Sequence, residues 1–440
     1  MASTSINRTP ASAGDMKKWT WSAWVKRGTL GVTQTIYSAY HSSNYNGYIR
    51  FNSSDTLEMY DYETVQRYLL TTTRKFRDTG AWYHIVINQD VENVTEGERL
   101  KMWINGVRET VFTNEDYPAT TVTSRINNAT PTSIGAFNSS QYFTGEMSHV
   151  QFVNAESLAP TEFGEFDSTS GIWKIKTDAY ATPGTNGYFL KMEDRTNLDL
   201  DSSSNAYTWT TSGTLTATYD NPSDNFCIWS RLNPQAYPWY MSNGNTTAQT
   251  AVDSTWRSVF GTLANSTGKY YFESECDVDG GAASVGILAT EQQSPTNSQF
   301  SDLSLGYAYH YSGDKRNDGN STSYGDSYTD GDIIGIAYDA TNGTLWFSKN
   351  GVWQNSATIG EIAAGTTTNA AYSSIPTGAS KFYAPTITGY TSAKWKANFG
   401  NGYFGTTAIT SAGTNASGIG SFEYDVPTGF TAWSTKGFNE

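Results

Sequence analysis

At 440 residues the chain exceeds one ordinary hydrophobic core, so two domains are the default. Its formal charge of −14, with no basic cluster, repels phosphate backbones and anionic bilayers and so excludes nucleic acid as a partner. Aromatic residues make up 14% and charged residues 16%, with Thr, Ser, Asn and Gly abundant, a makeup suited to short strands joined by polar turns rather than helices.

Cys227 and Cys276 are the only cysteines, too few for a disulfide framework, though one bridge stays open. The N-terminal MASTSINRTPASAGDMKKW has no apolar signal core. No run approaches the ~20 apolar residues that cross a bilayer. The expectation is a protein made in a reducing cytoplasm without membrane insertion.

Residues 1–17 lack periodicity and contain Pro10, so they read as an arm serving attachment or assembly, whose deletion leaves the stability of the isolated protein nearly unchanged. WTWSAWVKRG follows, with Trp19 and Trp21 on one side of a strand and Trp24 on the other. AWYHIVINQD (81–90), ERLKMWINGV (98–107), SIGAF (133–137) and FTGEMSHVQFVNAESL (143–158) come next, with a hairpin turn at Asn105-Gly106. In this order they resemble the laminin-G-like, concanavalin A-like jelly roll, which implies a first domain over residues 18–215. Pro160 marks the likeliest short helix, at 158–164. The jelly-roll resemblance implies a calcium ion on loop carboxylates; Asp194, Asp199 and Asp201 are the candidates, although their spacing lacks the calcium-loop order.

Residues 216–250 are rich in Asn, Pro and Ser yet carry Phe226, Trp229 and Trp239, more aromatics than a free linker would spend, so a packed connection is expected. Beyond it, GDIIGIAYDATNGTLWFSKNGVW (331–353) reads as three strands separated by Asn342-Gly343 and Asn350-Gly351, two hairpins sharing one strand. The first run has no strongly polar face and should be a central strand. Because both turn positions need positive φ, Gly351→Val is expected to destabilise more than Gly343→Ala. GKYYFESEC (268–276), SVGILA (284–289), FYAPTI (382–387) and KANFG (396–400) flank these hairpins in one order, and together they resemble the SPRY family over residues 251–405. Residues 406–440 read as a tail packed on this second sandwich. The fold class is therefore all-β, two antiparallel β-sandwiches.

SPRY domains bind partners through their loop face. The stretch YSGDKRNDGNSTSYGDSYTD (311–330) mixes Tyr with small polar residues as recognition loops do, making Tyr311, Tyr324 and Tyr328 candidate ligand-binding residues. Glu275-Cys276-Asp277-Val278-Asp279 approaches the E-x-D-x-E strand of glucanases but ends in Asp and reads as a solvated acidic face. His41, His84, His149 and His310 lack metal spacing and read as structural, and no nucleophile elbow or P-loop occurs. No catalytic constellation is expected, hence no enzyme.

The tandem, with its INRTPASAGDMKKWTWSAWVKRG opening and VPTGFTAW closing, resembles virion proteins of tailed bacteriophages, especially marine ones. The resemblance implies a tail-fibre, tail-associated or capsid-decorating protein, located in the virion. Its implied partners are other virion proteins and a host-surface polysaccharide, and its implied form is a homo-oligomer, expected as a trimer because avidity multiplies weak sites. A purely structural decoration protein and a glycan depolymerase are the competing readings. An adhesin predicts exposed aromatics beside polar side chains; a depolymerase predicts paired carboxylates in a cleft.

Overall fold

The computed structural model describes residues 3–232, 239–293 and 298–439. It divides into two compact units, residues 1–217 and 218–440. Each is built from two antiparallel sheets closed over an apolar core.

In the first unit, an eight-stranded sheet runs in the order Phe112–Asp116, Val65–Lys75, Thr56–Glu63, Tyr45–Phe51, Gln34–Ser42, Thr132–Ile134, Ser5–Arg8, Thr210–Ser212. Facing it is a six-stranded sheet ordered Tyr188–Leu190, Gly145–Asn154, Lys18–Arg27, Trp82–Asp90, Leu100–Ile104, Val107–Arg108. Strand alternation sends Trp19, Trp21, Ala23 and Val25 into the core with Ile49, Met59, Leu70 and Ile87. Trp24 points to the opposite face of its sheet. The expected helix at 158–164 is one 3-10 turn, Pro160–Glu162.

The expected N-terminal arm is a correction. Ser5–Arg8 is a strand of the eight-stranded sheet, with Ile6 opposite Ile134 on one side and Thr211 on the other. Ile6 is buried in the core, and the Arg8 guanidinium lies 3.5 Å from the centroid of the Tyr207 ring. A single apolar residue among polar ones gives no periodicity to read, yet four residues suffice when ladders form on both edges.

The second unit starts at Thr218, so residues 218–250 belong to it rather than to a connection. Phe226, Cys227 and Trp229 are buried in its cores, and Trp229 Nε1 donates to the Thr246 carbonyl at 3.1 Å. Cys227 and Cys276 are both buried and form no disulfide, and burial pushes the Cys276 thiol well up. One sheet carries, in order, Tyr240–Ser242, Thr247–Gln249, Lys394–Asn398, Lys269–Val278, Asp332–Asp339, Thr344–Lys349 and Val352–Trp353. The other carries Arg257–Phe260, Tyr383–Gly389, Ala283–Ala289, Gly306–His310, Asp314–Asn317 and Asn320–Ser323. Asp332–Asp339 is central, and Thr344–Lys349 is shared by two hairpins as expected.

On the outer face of the first of these sheets, Tyr271, Ala337 and Trp346 are covered by Ile362, Ile419, Phe422, Val426 and Phe430. Ile362 lies on the one α-helix among the described residues, Ile359–Ala364, started by a Thr358/Glu361 capping box and stopped by left-handed Gly365. Residues 421–433 are pinned by Glu273, whose carboxylate accepts from the Glu423 and Tyr424 amides at 2.9 Å each, from Asn398 Nδ2 at 3.1 Å and from the Tyr271 hydroxyl at 3.0 Å. Thr431–Ala432 then adds a parallel bridge beside Tyr270–Tyr271, and Trp433 enters the core.

The two turns have the positive φ expected, 48° and 81° at Asn350-Gly351 and 65° at Gly343. With the same alanine placed at both, their surroundings put Gly343 first. A Cβ on Gly343 would lie 2.1 Å from the Ile375 carbonyl oxygen, held by the hydrogen-bonded backbone around it; one on Gly351 would meet the Tyr424 ring, a side chain able to turn aside. Gly343→Ala is expected to cost ~1–2 kcal/mol more than Gly351→Ala, since both pay the left-handed penalty and only the first must also move backbone. Chemical denaturation of both variants measures the difference, and equal midpoints would refute it.

Candidate functional site

The three tyrosines expected on a recognition loop are not a surface group. Tyr324 and Tyr328 are buried in the core of the second unit, and the Tyr328 hydroxyl donates to the carbonyls of Ala283 (3.1 Å) and Tyr309 (3.0 Å). Tyr311 is half-buried against that core, its ring 4.5 Å from His310. The stretch is no open loop, because Asp314–Asn317 and Asn320–Ser323 form a hairpin inside it. Composition alone does not separate a tyrosine that packs from one that binds.

Asp194, Asp199 and Asp201 likewise form no ion site. Asp194 closes an exposed turn by accepting from the Thr196 amide and hydroxyl, and Asp199 accepts from the Thr211 hydroxyl at 2.7 Å. Asp201 is buried and accepts from the amides of Phe189, Ser203 and Tyr207, all at 2.9 Å, so most of its acceptor capacity is turned to its own backbone. Among the described residues, no three His, Cys, Asp or Glu are grouped to hold a metal ion. Nor are Glu275 and Asp277 free carboxylates: Lys396 pairs with both and Lys394 with Asp277.

What the first unit does present is a polar-aromatic face on its eight-stranded sheet. Along Tyr45–Phe51, Gly47, Ile49 and Phe51 turn inward, leaving Asn46, Tyr48 and Arg50 on the other side. Along Thr56–Glu63, Leu57, Met59 and Asp61 turn inward, leaving Glu58, Tyr60 and Tyr62 outside. The register sets Tyr62 opposite Asn46, Tyr60 opposite Tyr48 and Glu58 opposite Arg50, a cross-strand ladder on one face. Tyr40 of the neighbouring strand stands beside Asn46.

The rings form a connected row. Tyr48 and Tyr60 stack at 4.8 Å, Tyr60 and Tyr62 are near-parallel at 6.0 Å, and Phe137 packs edge-on against Tyr48 and Tyr40. Arg50 sits 4.0 Å from the Tyr48 centroid while its Nε donates to Glu58 at 2.7 Å, and Asn52 Nδ2 holds the other Glu58 oxygen at 2.9 Å. Tyr40, Tyr60, Tyr62, Arg50 and Glu58 remain partly exposed. Burial raises the Tyr48 and Tyr60 phenols, so both stay protonated at neutral pH. Such a face offers rigid amphipathic area, fixed donors and acceptors, and no net charge from its Arg–Glu pair. The signal for it in the sequence is the pair of tyrosines at i and i+2 in EMYDYE facing GYIR across one turn, an alternation that does not by itself say which face is outer.

Comparison with known proteins agrees with this architecture. Residues 3–162 match the concanavalin A-like lectin/glucanases superfamily, and residues 269–400 match the SPRY domain. A Ran-binding proteins 9/10 homolog of Drosophila melanogaster is 36% identical over 94 residues, 20% of this chain and 10% of that protein, so the chain spans a small part of its relative. Among solved structures, the SPRY domain of human HERC1 is 16% identical over 38% of this chain and 96% of that one, with a TM-score of 0.29. A heptameric SAP-like pentraxin of Limulus polyphemus is 16% identical over 36% of this chain and 73% of that one, with a TM-score of 0.28. The chain thus carries a laminin-G-like, concanavalin A-like domain followed by a SPRY domain.

Proposed function

We propose that the protein is a virion component of a tailed bacteriophage, an adhesin whose first unit binds a host-surface polysaccharide and whose copies are displayed as a symmetric trimer. The observation that carries this reading is the Tyr40, Tyr48, Tyr60, Tyr62 row beside Arg50, Glu58 and Asn52. Tyrosine faces stack on the apolar faces of sugar rings while the flanking polar groups take hydroxyl hydrogen bonds. The phage-like opening and closing segments supply the virion setting. Each site is weak alone, and presenting several together raises binding ~10²- to 10⁴-fold.

Binding to a glycan array of bacterial surface polysaccharides tests it. Tyr60→Ala removes the middle ring and is expected to weaken binding about tenfold, the equivalent of ~1.4 kcal/mol. An array on which the wild type binds nothing, or on which Tyr60→Ala binds equally, would favour a decoration protein without a ligand. The protein acts as a binder rather than a depolymerase in this reading, so bound polysaccharide should release no new reducing ends.

A further inference from the structure

The register that assembles the tyrosine row continues past it to one edge of the eight-stranded sheet. Tyr48 lies opposite Tyr60, Tyr60 opposite Leu69, and Leu69 opposite Asp116 of the edge strand Phe112–Asp116. Residues paired directly across antiparallel strands share a face, so partly exposed Leu69 and exposed Asp116 extend the row on its own side of the sheet. With strands ~4.8 Å apart, Asp116 stands about 10 Å from Tyr60, close to the length of two sugar units.

The charges along this face are not balanced. Arg50 is held by Glu58 at 2.7 Å, and the bordering cations Arg67 and Arg125 both lie on Glu63, the second at 3.3 Å. Each of these guanidiniums already faces a carboxylate of the chain. Asp116 faces no cation in return: among the described residues its carboxylate takes a neutral donor, Gln66 Nε2, which bonds Oδ2 at 2.8 Å and leaves Oδ1 to solvent. The formal charge of −14 adds a long-range repulsion of anions.

We propose that the glycan is an amino polysaccharide, carrying free protonated amines and no acidic groups, with one ammonium on Asp116 Oδ1 and the adjoining rings over Leu69 and Tyr60. The inference rests on the polysaccharide reading and names its substrate class. An ammonium gives Asp116 the cation that the chain does not supply. A uronate or phosphate would find no unpaired cation along the row and would have to break an Arg–Glu pair to gain one. The tyrosines then set affinity, and Asp116 sets which sugars are accepted.

The probes are β-1,4-linked tetramers of glucosamine, N-acetylglucosamine and glucuronic acid, titrated against the full chain by calorimetry. The glucosamine tetramer should bind about two- to fivefold tighter than its N-acetylated form at low salt, the range of an exposed ion pair, and the glucuronic acid tetramer weakest. The first gap should close as salt screens the pair. Asp116→Asn keeps the acceptor for Gln66 and should bring the first two tetramers to one affinity without changing that of the N-acetylated one. Tyr60→Ala should weaken both alike. Equal binding of the two by the wild type, or a preference that survives Asp116→Asn, would overturn the amine assignment while the loss in Tyr60→Ala still upheld the polysaccharide reading. Binding of none of the tetramers would overturn the assignment too, and together with a blank glycan array it would remove the reading beneath it.

Discussion

Deleting residues 1–9 should lower the melting temperature of the first unit by about 10 °C. The deletion removes the Ser5–Arg8 strand, which is hydrogen-bonded on both edges, and leaves Thr132–Ile134 as a bare edge and Thr210–Ser212 without a partner. It also empties the place of Ile6 and takes Arg8 off the Tyr207 ring. Losing one buried isoleucine costs ~2–5 kcal/mol, and the ladder adds to it. For a unit of this size each kcal/mol moves the midpoint by ~2–4 °C, which gives the figure above. Calorimetry of the full chain would resolve it as a shift in one of two transitions. A midpoint unchanged within 2 °C would restore the dispensable arm that the sequence suggested.

Glu273 should make the second unit less stable as pH rises from 4.5 to 7. Complete burial pushes its carboxyl from 4.5 up to about 7, against the four hydrogen bonds that favour the ionised form. A folded-state pKa above the unfolded one means that the folded chain binds the extra proton across this window. The stabilisation is therefore full below the unfolded value and lost as pH rises through about 7. The span corresponds to ~3 kcal/mol by proton linkage. Glu273→Gln is neutral throughout and should flatten the profile. It should also cost ~1–3 kcal/mol at pH 5, because its amide nitrogen replaces one of the two oxygens and cannot accept from whichever of the Glu423 and Tyr424 amides that oxygen served. Urea denaturation at pH 5 and pH 8 gives both numbers, and identical pH slopes for the two proteins would exclude the role.

Long-range order was legible wherever one residue type has one geometric use. Asn-Gly pairs at 105–106 and 350–351 located two-residue hairpins, and continuous apolar runs at 82–90 and 332–339 located strands flanked by others in their sheets. What failed were residues whose use depends on neighbours far along the chain. Tyr324 and Tyr328 read as recognition residues but fill a core, while Tyr48, Tyr60 and Tyr62 read as ordinary strand residues but share an outer face. Identical side chains serve both, and register between strands decides which. The Asp201 carboxylate went the same way, since its three amide donors arrive from residues 189, 203 and 207 only after the turn closes. The helix at Ile359–Ala364 was readable from its Thr358-x-x-Glu361 box and was missed, its six residues being too few to show a helical period.

The parallel bridge at Thr431–Ala432 has a consequence for synthesis. Lys269–Val278 is among the first strands of its sandwich to leave the ribosome, yet its neighbours include Asp332–Asp339, Lys394–Asn398 and Thr431–Ala432. At ~5–20 residues per second, the interval between residue 278 and residue 433 is on the order of ten to thirty seconds. Throughout it, Tyr270, Phe272 and Cys276 lack the Trp433 side chain that shares their core, and until residue 395 is made they lack Trp395 as well. The laminin-G-like unit, finished by residue 217, can fold meanwhile. The nascent second unit therefore waits with the other edge of Lys269–Val278 unpaired and its core unfilled, which makes it the part of the chain most exposed to misassociation during synthesis.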